Sequence, residues 1–135
     1  MAEEQETRRV ADALYAAFLA GDMAGMLDQM SDDVEVRFLA QGTFRGLEEV
    51  RRFMAFSSGL LTGLEFRIED LLVDGELACA IWHERALTLA GDPWETHGVD
   101  VIRVRDGRVV MLHENNDATL VHRHLPRFAP GEGVK

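Results

Sequence analysis

The chain has 135 residues, 47% hydrophobic and 28% charged, which suffices for one domain with a core able to hold a cavity and is too short for a second. Its 24 acidic and 14 basic residues give a formal net charge of −10, which argues against a phosphate-tracking surface and so against a nucleic-acid partner. Cys79 is the single cysteine, so an internal disulfide and a multi-cysteine metal site are excluded, and the only lysine, Lys135, leaves Schiff-base chemistry without its usual nucleophile.

From Glu4 to Ala20 the residues Val10, Leu14, Ala17 and Phe18 recur at helical steps, predicting a first helix that Gly21 stops. Asp22 caps a short second helix over Met23–Met30. Alternation over Val34–Phe38 predicts a strand, followed by a loop from Ala40 to Arg45. Leu47, Val50, Phe53 and Met54, behind Glu48 and Glu49, predict a third helix over Leu47–Ser57. Alternating runs then follow, broken at the turn signals Asp74-Gly75, Gly91-Asp92-Pro93 and Asp106-Gly107. They predict a meander of four antiparallel strands, Leu64–Val73, Glu76–Leu89, Trp94–Arg105 and Arg108–Asp117. Residues 1–125 read as one domain and 126–135, with Pro126, Pro130, Gly131 and Gly133, as a flexible tail. The fold class is α+β: helices cover one face of a sheet that curls over them as a cone, and the inside of a cone is a natural ligand cavity. The N-terminal mixture of Glu and Arg does not read as a signal peptide, and no run of about 18 apolar residues could span a bilayer. A cytoplasmic protein without a membrane partner is expected.

Strand periodicity sorts the side chains onto two faces. In the second meander strand the bulkier apolar stripe is Leu77, Cys79, Ile81, Leu87 and Leu89, with His83 and Arg85 among them. This set is expected to face inward. The third strand puts Thr96 and Asp100 on the face of Ile102 and Val104, and the fourth aligns Leu112, Glu114 and Asn116. Polar residues thus collect at one end of an apolar face, where desolvation and neighbouring charge set which carboxyl keeps its proton. A structural ion-pair network centred on Arg85 is the alternative reading of the same residues.

Leu14 to Asp22, Ser31-Asp32-Asp33-Val34, Phe44-Arg45-Gly46 and Val99 to Val110 resemble the nuclear transport factor 2-like superfamily, nearest its ketosteroid isomerase-related and SnoaL-like polyketide cyclase branches. The resemblance implies a cystatin-like α+β barrel. It puts Asp100 where ketosteroid isomerases keep a protonated aspartic acid, whereas the isomerase's general base falls on Phe38 and its tyrosine on Leu14, one residue before Tyr15. Resemblance to limonene epoxide hydrolase aligns that enzyme's Arg with Arg85 and its water-activating Asp with Glu114, while a further Asp is replaced by Leu87. SnoaL-like cyclases also place an acid/base residue in the last strand, again at Glu114.

The expected activity is cofactor-free acid/base catalysis on a small apolar substrate, polyketide- or terpenoid-like, by cyclisation or isomerisation. Epoxide opening and a non-catalytic binding module are the alternatives. Glu114, Asp100, Arg85 and His83 are the expected catalytic residues, and Leu14, Tyr15, Phe18, Phe38, Phe53, Ile81, Leu87, Thr96, Leu112 and Asn116 the expected substrate contacts. No metal is expected, because the His122-Arg123-His124 pair lacks a neighbouring cysteine or carboxylate cluster. Small residues around Trp82, at Ala78, Ala80 and Ala86, are read as an outer face suited to a homodimer through the convex side of the sheet.

Overall fold

The computed structural model describes residues 2–128. Helix α1 spans Ala2–Leu19 and buries Val10, Ala11, Leu14 and Tyr15, the stripe expected from their spacing. Gly21, at φ 68°, ends it in the left-handed conformation that glycine adopts without strain. Asp22 then caps α2, Met23–Asp28, by accepting the Gly25 N–H. Strand β1, Met30–Phe38, begins after Gln29, so the predicted second helix ends two residues early and its last residue, Met30, opens a longer strand. The expected loop after it contains a four-residue edge strand, β2 (Gly42–Arg45), before α3 at Leu47–Ser57.

The four-strand meander is present as β3 (Leu61–Asp74), β4 (Leu77–Thr88), β5 (Pro93–Arg105) and β6 (Arg108–Asn115). With β1 and β2 these form one curved, unclosed sheet in the order β2-β1-β6-β5-β4-β3. The sheet is mixed and not wholly antiparallel, because β1 pairs with β6 in parallel, Phe38 beside Glu114. That pairing carries the first strand of the chain to the last one. The main core lies between the helices and the inner face, from Val10 and Leu14 through Val34, Val36, Phe44 and Phe53 to Ile102 and Val109.

The expected facing of β4 is reversed. Ala78, Ala80 and Trp82 are buried, whereas His83 and Arg85 share the outer face with Leu77, Cys79, Ile81 and Leu87. The cause is helix packing: α1 crosses this part of the sheet, and Ala78 and Ala80 belong to the same buried cluster as Val10, Ala11 and Leu14. Small residues let helix and sheet approach, and the larger apolar residues occupy the half-exposed convex side. The small-residue argument for a homodimer therefore fails, since those residues face the core.

The end of the expected domain and the start of the expected tail are both structured. Ala118–His124 form α4, capped by Asp117, which accepts the Leu120 N–H. Past it, the Gln41 side chain bonds both the Pro126 carbonyl and the Phe128 N–H, and Phe128 packs against Phe44, Phe53 and Phe56. Residues 129–135 of the expected tail lie outside the described residues. Among the described residues no helix is long and apolar enough to cross a membrane.

Candidate active site

A cavity of about 440 Å³ lies between the helices and one end of the inner sheet face. Phe18 from the end of α1, Met26 from α2 and Phe53 from α3 line one side, and Phe38, Glu84 and Glu114 from β1, β4 and β6 the other. Helix α4 covers a flank, where Val121 packs with Ala40 and Trp94 in a second buried cluster. Two side chains with ionisable carboxyls line this space, and no Arg, Lys or His does among the described residues.

Glu114 lies directly across from Asp100 and shares the inward parity of buried Leu112. Burial pushes its carboxyl up to about 8, and the negative charges of Asp100 and Glu84 push in the same direction, against a smaller opposing effect of the Leu39 N–H. Its Oε1 is buried and has no hydrogen-bond partner. An unpaired carboxyl in such surroundings keeps its proton at neutral pH.

Asp100 is more deeply placed, 6% exposed, yet differently served. The Tyr15 hydroxyl donates to one carboxylate oxygen at 2.5 Å, and the Trp82 indole Nε1 donates to the other at 3.0 Å. Burial raises the carboxyl while these two bonds pull it down, leaving it at about 6. Of the facing pair, Asp100 is therefore the carboxyl that ionises first as pH rises. The resemblance implied a protonated Asp100; burial acts in that direction, the Tyr15 and Trp82 bonds act against it, and Glu114 is the more strongly raised of the two. Both oxygens of Asp100 are engaged by protein donors and the residue does not line the cavity. It acts on Glu114 through its charge, and Tyr15 and Trp82 hold that charge in place. The Tyr15 phenol is itself pushed far above its ordinary value, by burial first and then by Asp100.

Glu84 is the residue that sequence reasoning missed. It projects inward from β4 opposite Thr96, lines the cavity and accepts a hydrogen bond from Trp94 Nε1 at 2.9 Å. Burial raises its carboxyl, the Trp94 bond lowers it, the charge of Asp100 raises it and His83, on the other face, lowers it. A signal for it existed. In the β4–β5 hairpin cross-strand partners share a face, so placing Asp100 inside places Ala80 and Glu84 inside too.

The expected site residues divide into three groups. Phe18, Phe38, Phe53, Glu114 and Asn116 line the cavity. Leu14, Tyr15, Thr96, Leu112 and Asp100 are buried without lining it. His83, Arg85, Ile81 and Leu87 lie on the outer face: Arg85, with its side chain 64% exposed, comes no nearer to a carboxylate than 4.0 Å from Glu95, and His83 bonds Glu95 at 2.6 Å. Neither cation meets Asp100 or Glu114, so the Arg-centred ion-pair network does not form, and the match to the epoxide hydrolase arginine is not met at the cavity.

The arrangement has known relatives in fold. A family profile for the SnoaL-like domain matches residues 11–112. Among curated proteins the sequence matches none. Among solved structures it is similar to a nuclear transport factor 2-like protein of unknown function from Burkholderia pseudomallei, at 20% identity over 89% of this chain and 97% of that one, TM-score 0.82. It is also similar to an LEH-like epoxide hydrolase from M. tuberculosis, at 19% identity over 91% of each chain, TM-score 0.74. A candidate polyketide cyclase from Xanthomonas campestris is similar at 18% identity over 83% of this chain and 90% of that one, TM-score 0.72. At such identities the structural likeness speaks for the fold. With most of its length inside the family match and its helices and curved sheet in the corresponding arrangement, the chain belongs to the SnoaL-like domain family.

Proposed function

We infer that the protein is an acid/base enzyme that moves a proton on a small, largely apolar molecule held in this cavity, in a cyclisation or isomerisation. One observation carries the reading: two unlike carboxyls line one cavity. Burial raises both carboxyls, but Glu114 has a buried oxygen with no donor and is raised to about 8, whereas Glu84 accepts a hydrogen bond from Trp94 that opposes the rise. Carboxyls with unlike hydrogen-bond partners divide the roles of donor and acceptor. Glu114 is the proton donor, Glu84 the acceptor, and Asp100 the positioning charge that keeps Glu114 protonated. The aromatic side chains Phe18, Phe38 and Phe53 contribute the apolar wall.

The test is proton exchange from apolar enolisable ketones in D₂O, followed by NMR. A placed acid or base contributes about 10²–10⁴-fold, so Glu114→Gln lowers the exchange rate by that factor while the circular dichroism spectrum is retained. Exchange undiminished by the substitution rejects the assignment. Because the donor form is lost as pH rises through about 8, kcat/KM falls on the alkaline side near that value.

A further inference from the structure

The cavity collects carboxyl side chains without a basic residue beside them. Glu84 and Glu114 line it, Asp100 stands directly across the strand from Glu114, and no Arg, Lys or His lines it among the described residues. Buried carboxylates are ordinarily paired. The candidates for pairing have gone elsewhere: Arg85 and His83 to Glu95 on the outer face, and Arg103 and Arg105 to Glu76. His83 lowers the Glu84 carboxyl only weakly, from the opposite side of the sheet.

A second observation concerns hydrogen bonding. Two buried polar atoms on the cavity-lining residues have no partner, Glu114 Oε1 and Asn116 Oδ1, and both are oxygens. The Asn116 oxygen can only accept. The third feature is aromatic, since Phe18, Phe38, Phe53 and Trp94 offer ring surface around the same space, and ring faces attract cations.

We propose that the ligand of this cavity is an organic cation, an apolar amine in its protonated form, whose ammonium group lies between Glu84, Glu114 and Asn116 while its apolar body packs on the phenylalanine wall. The ligand thus supplies the positive charge that the fold omits. This deepens the reading of the cavity as the seat of proton transfer and rests on it. A positive charge there favours the ionised form of Glu84, whose oxygen already accepts from Trp94. An anionic substrate is excluded by the same charges.

The groups whose titration faces the ammonium are Glu84 from β4, Asp100 from β5 and Glu114 from β6, with Tyr15 of α1 bonded to Asp100, and with His83 and its partner Glu95 acting through the sheet. Ionisation of each carboxyl strengthens cation binding, so affinity rises with pH.

The experiment uses the full chain and three probes of one size: benzyltrimethylammonium, whose charge does not titrate, its uncharged carbon isostere neopentylbenzene, and the anion 3-phenylpropanoate. Binding is read by displacement of a fluorescent apolar dye at pH 5.5 and 8.5. The cation is expected to bind about tenfold or more tighter than the isostere at pH 8.5, and to gain about tenfold or more over its own affinity at pH 5.5, since one released proton permits about tenfold for each pH unit crossed. The isostere is expected to show no such gain, and the anion to bind weakest. Glu84→Gln with Glu114→Gln removes the preference for the cation while the isostere still binds, which also shows that the variant is folded. Equal binding of cation and isostere at both pH values overturns the proposal, as does tighter binding of the anion or failure of the cation to bind at all. A cavity that takes the isostere without regard to charge leaves proton transfer by Glu114 standing, since that is read separately from the exchange rate of Glu114→Gln.

Discussion

Asp100 and Glu114 are neighbours across two strands, yet their chemistry differs because of what each oxygen meets. Tyr15 and Trp82 donate to Asp100, whereas Glu114 has a buried oxygen with no donor. The tyrosine bond is short, buried and made to a charged group. Tyr15→Phe is expected to cost about 1.5–3 kcal/mol of stability, the usual worth of a bond to an ion, read from urea unfolding at pH 7. It also has a directional effect that a merely structural bond would not have. Without the hydroxyl, Asp100 holds its proton to higher pH, repels Glu114 less, and the alkaline limb of the pH–rate profile moves to lower pH. A profile left in place would show that Asp100 does not govern Glu114.

At the scale of elements, the site depends on how β4 and β5 face each other. Gly98 on β5 is opposite Trp82 on β4, and a Cβ there would overlap the indole ring. Gly98→Ala is therefore expected to push Trp82 off its bond to Asp100 and to destabilise the fold by about 1–3 kcal/mol, as overpacking does, with a lower thermal midpoint as the readout. The helices and the meander were legible in the sequence because each has a clear period: α3 is predicted over its full extent, and the four meander strands differ from expectation by no more than three residues at any end. Facing was legible in β5, where Glu95, His97, Arg103 and Arg105 alternate with Trp94, Gly98, Ile102 and Val104. It was not legible in β4, where both faces carry apolar residues and periodicity has no preference between them. Strand β2 is too short, and α4 too close to prolines, for period to reveal either.

For the whole molecule the three inward carboxyls make stability depend on pH in an unusual direction. Asp100 and Glu114 are raised to about 6 and about 8 in the folded chain, and Glu84 is raised as well. Between their ordinary values and these, the folded protein holds protons that the unfolded chain has released. Their contribution is thus fully present at low pH and is lost as pH rises to about 8, levelling off above it. Urea unfolding is expected to show stability falling by a few kcal/mol from pH 5 to pH 8, at about 1.4 kcal/mol for each unit by which a group is raised. Glu114→Gln flattens the upper part of that fall. A stability that does not fall over the same interval would mean that these carboxyls keep their ordinary values in the folded chain, as solvated groups do. The surface carboxylates that are lowered, Glu35, Glu48, Glu76 and Glu95, matter only on the acid side and are weak there because they are exposed to water.

Amphipathic period and turn residues by themselves determined the α+β class, the order of helices and meander strands, and the placing of Glu114 on an inward face, because these are local properties of alternating polar and apolar residues. Only the tertiary structure decided that β1 joins β6 in parallel, that α4 covers a flank of the cavity, and that α1 claims the alanine face of β4. That last choice brings Glu84 inside and sends His83 and Arg85 out. Which carboxyl is charged was likewise beyond the sequence, since it depends on donors from α1 and β4 meeting Asp100 across distances of 85 and 18 residues along the chain. Burial and hydrogen bonding act through space, and a titration state is set by the neighbours that folding assembles.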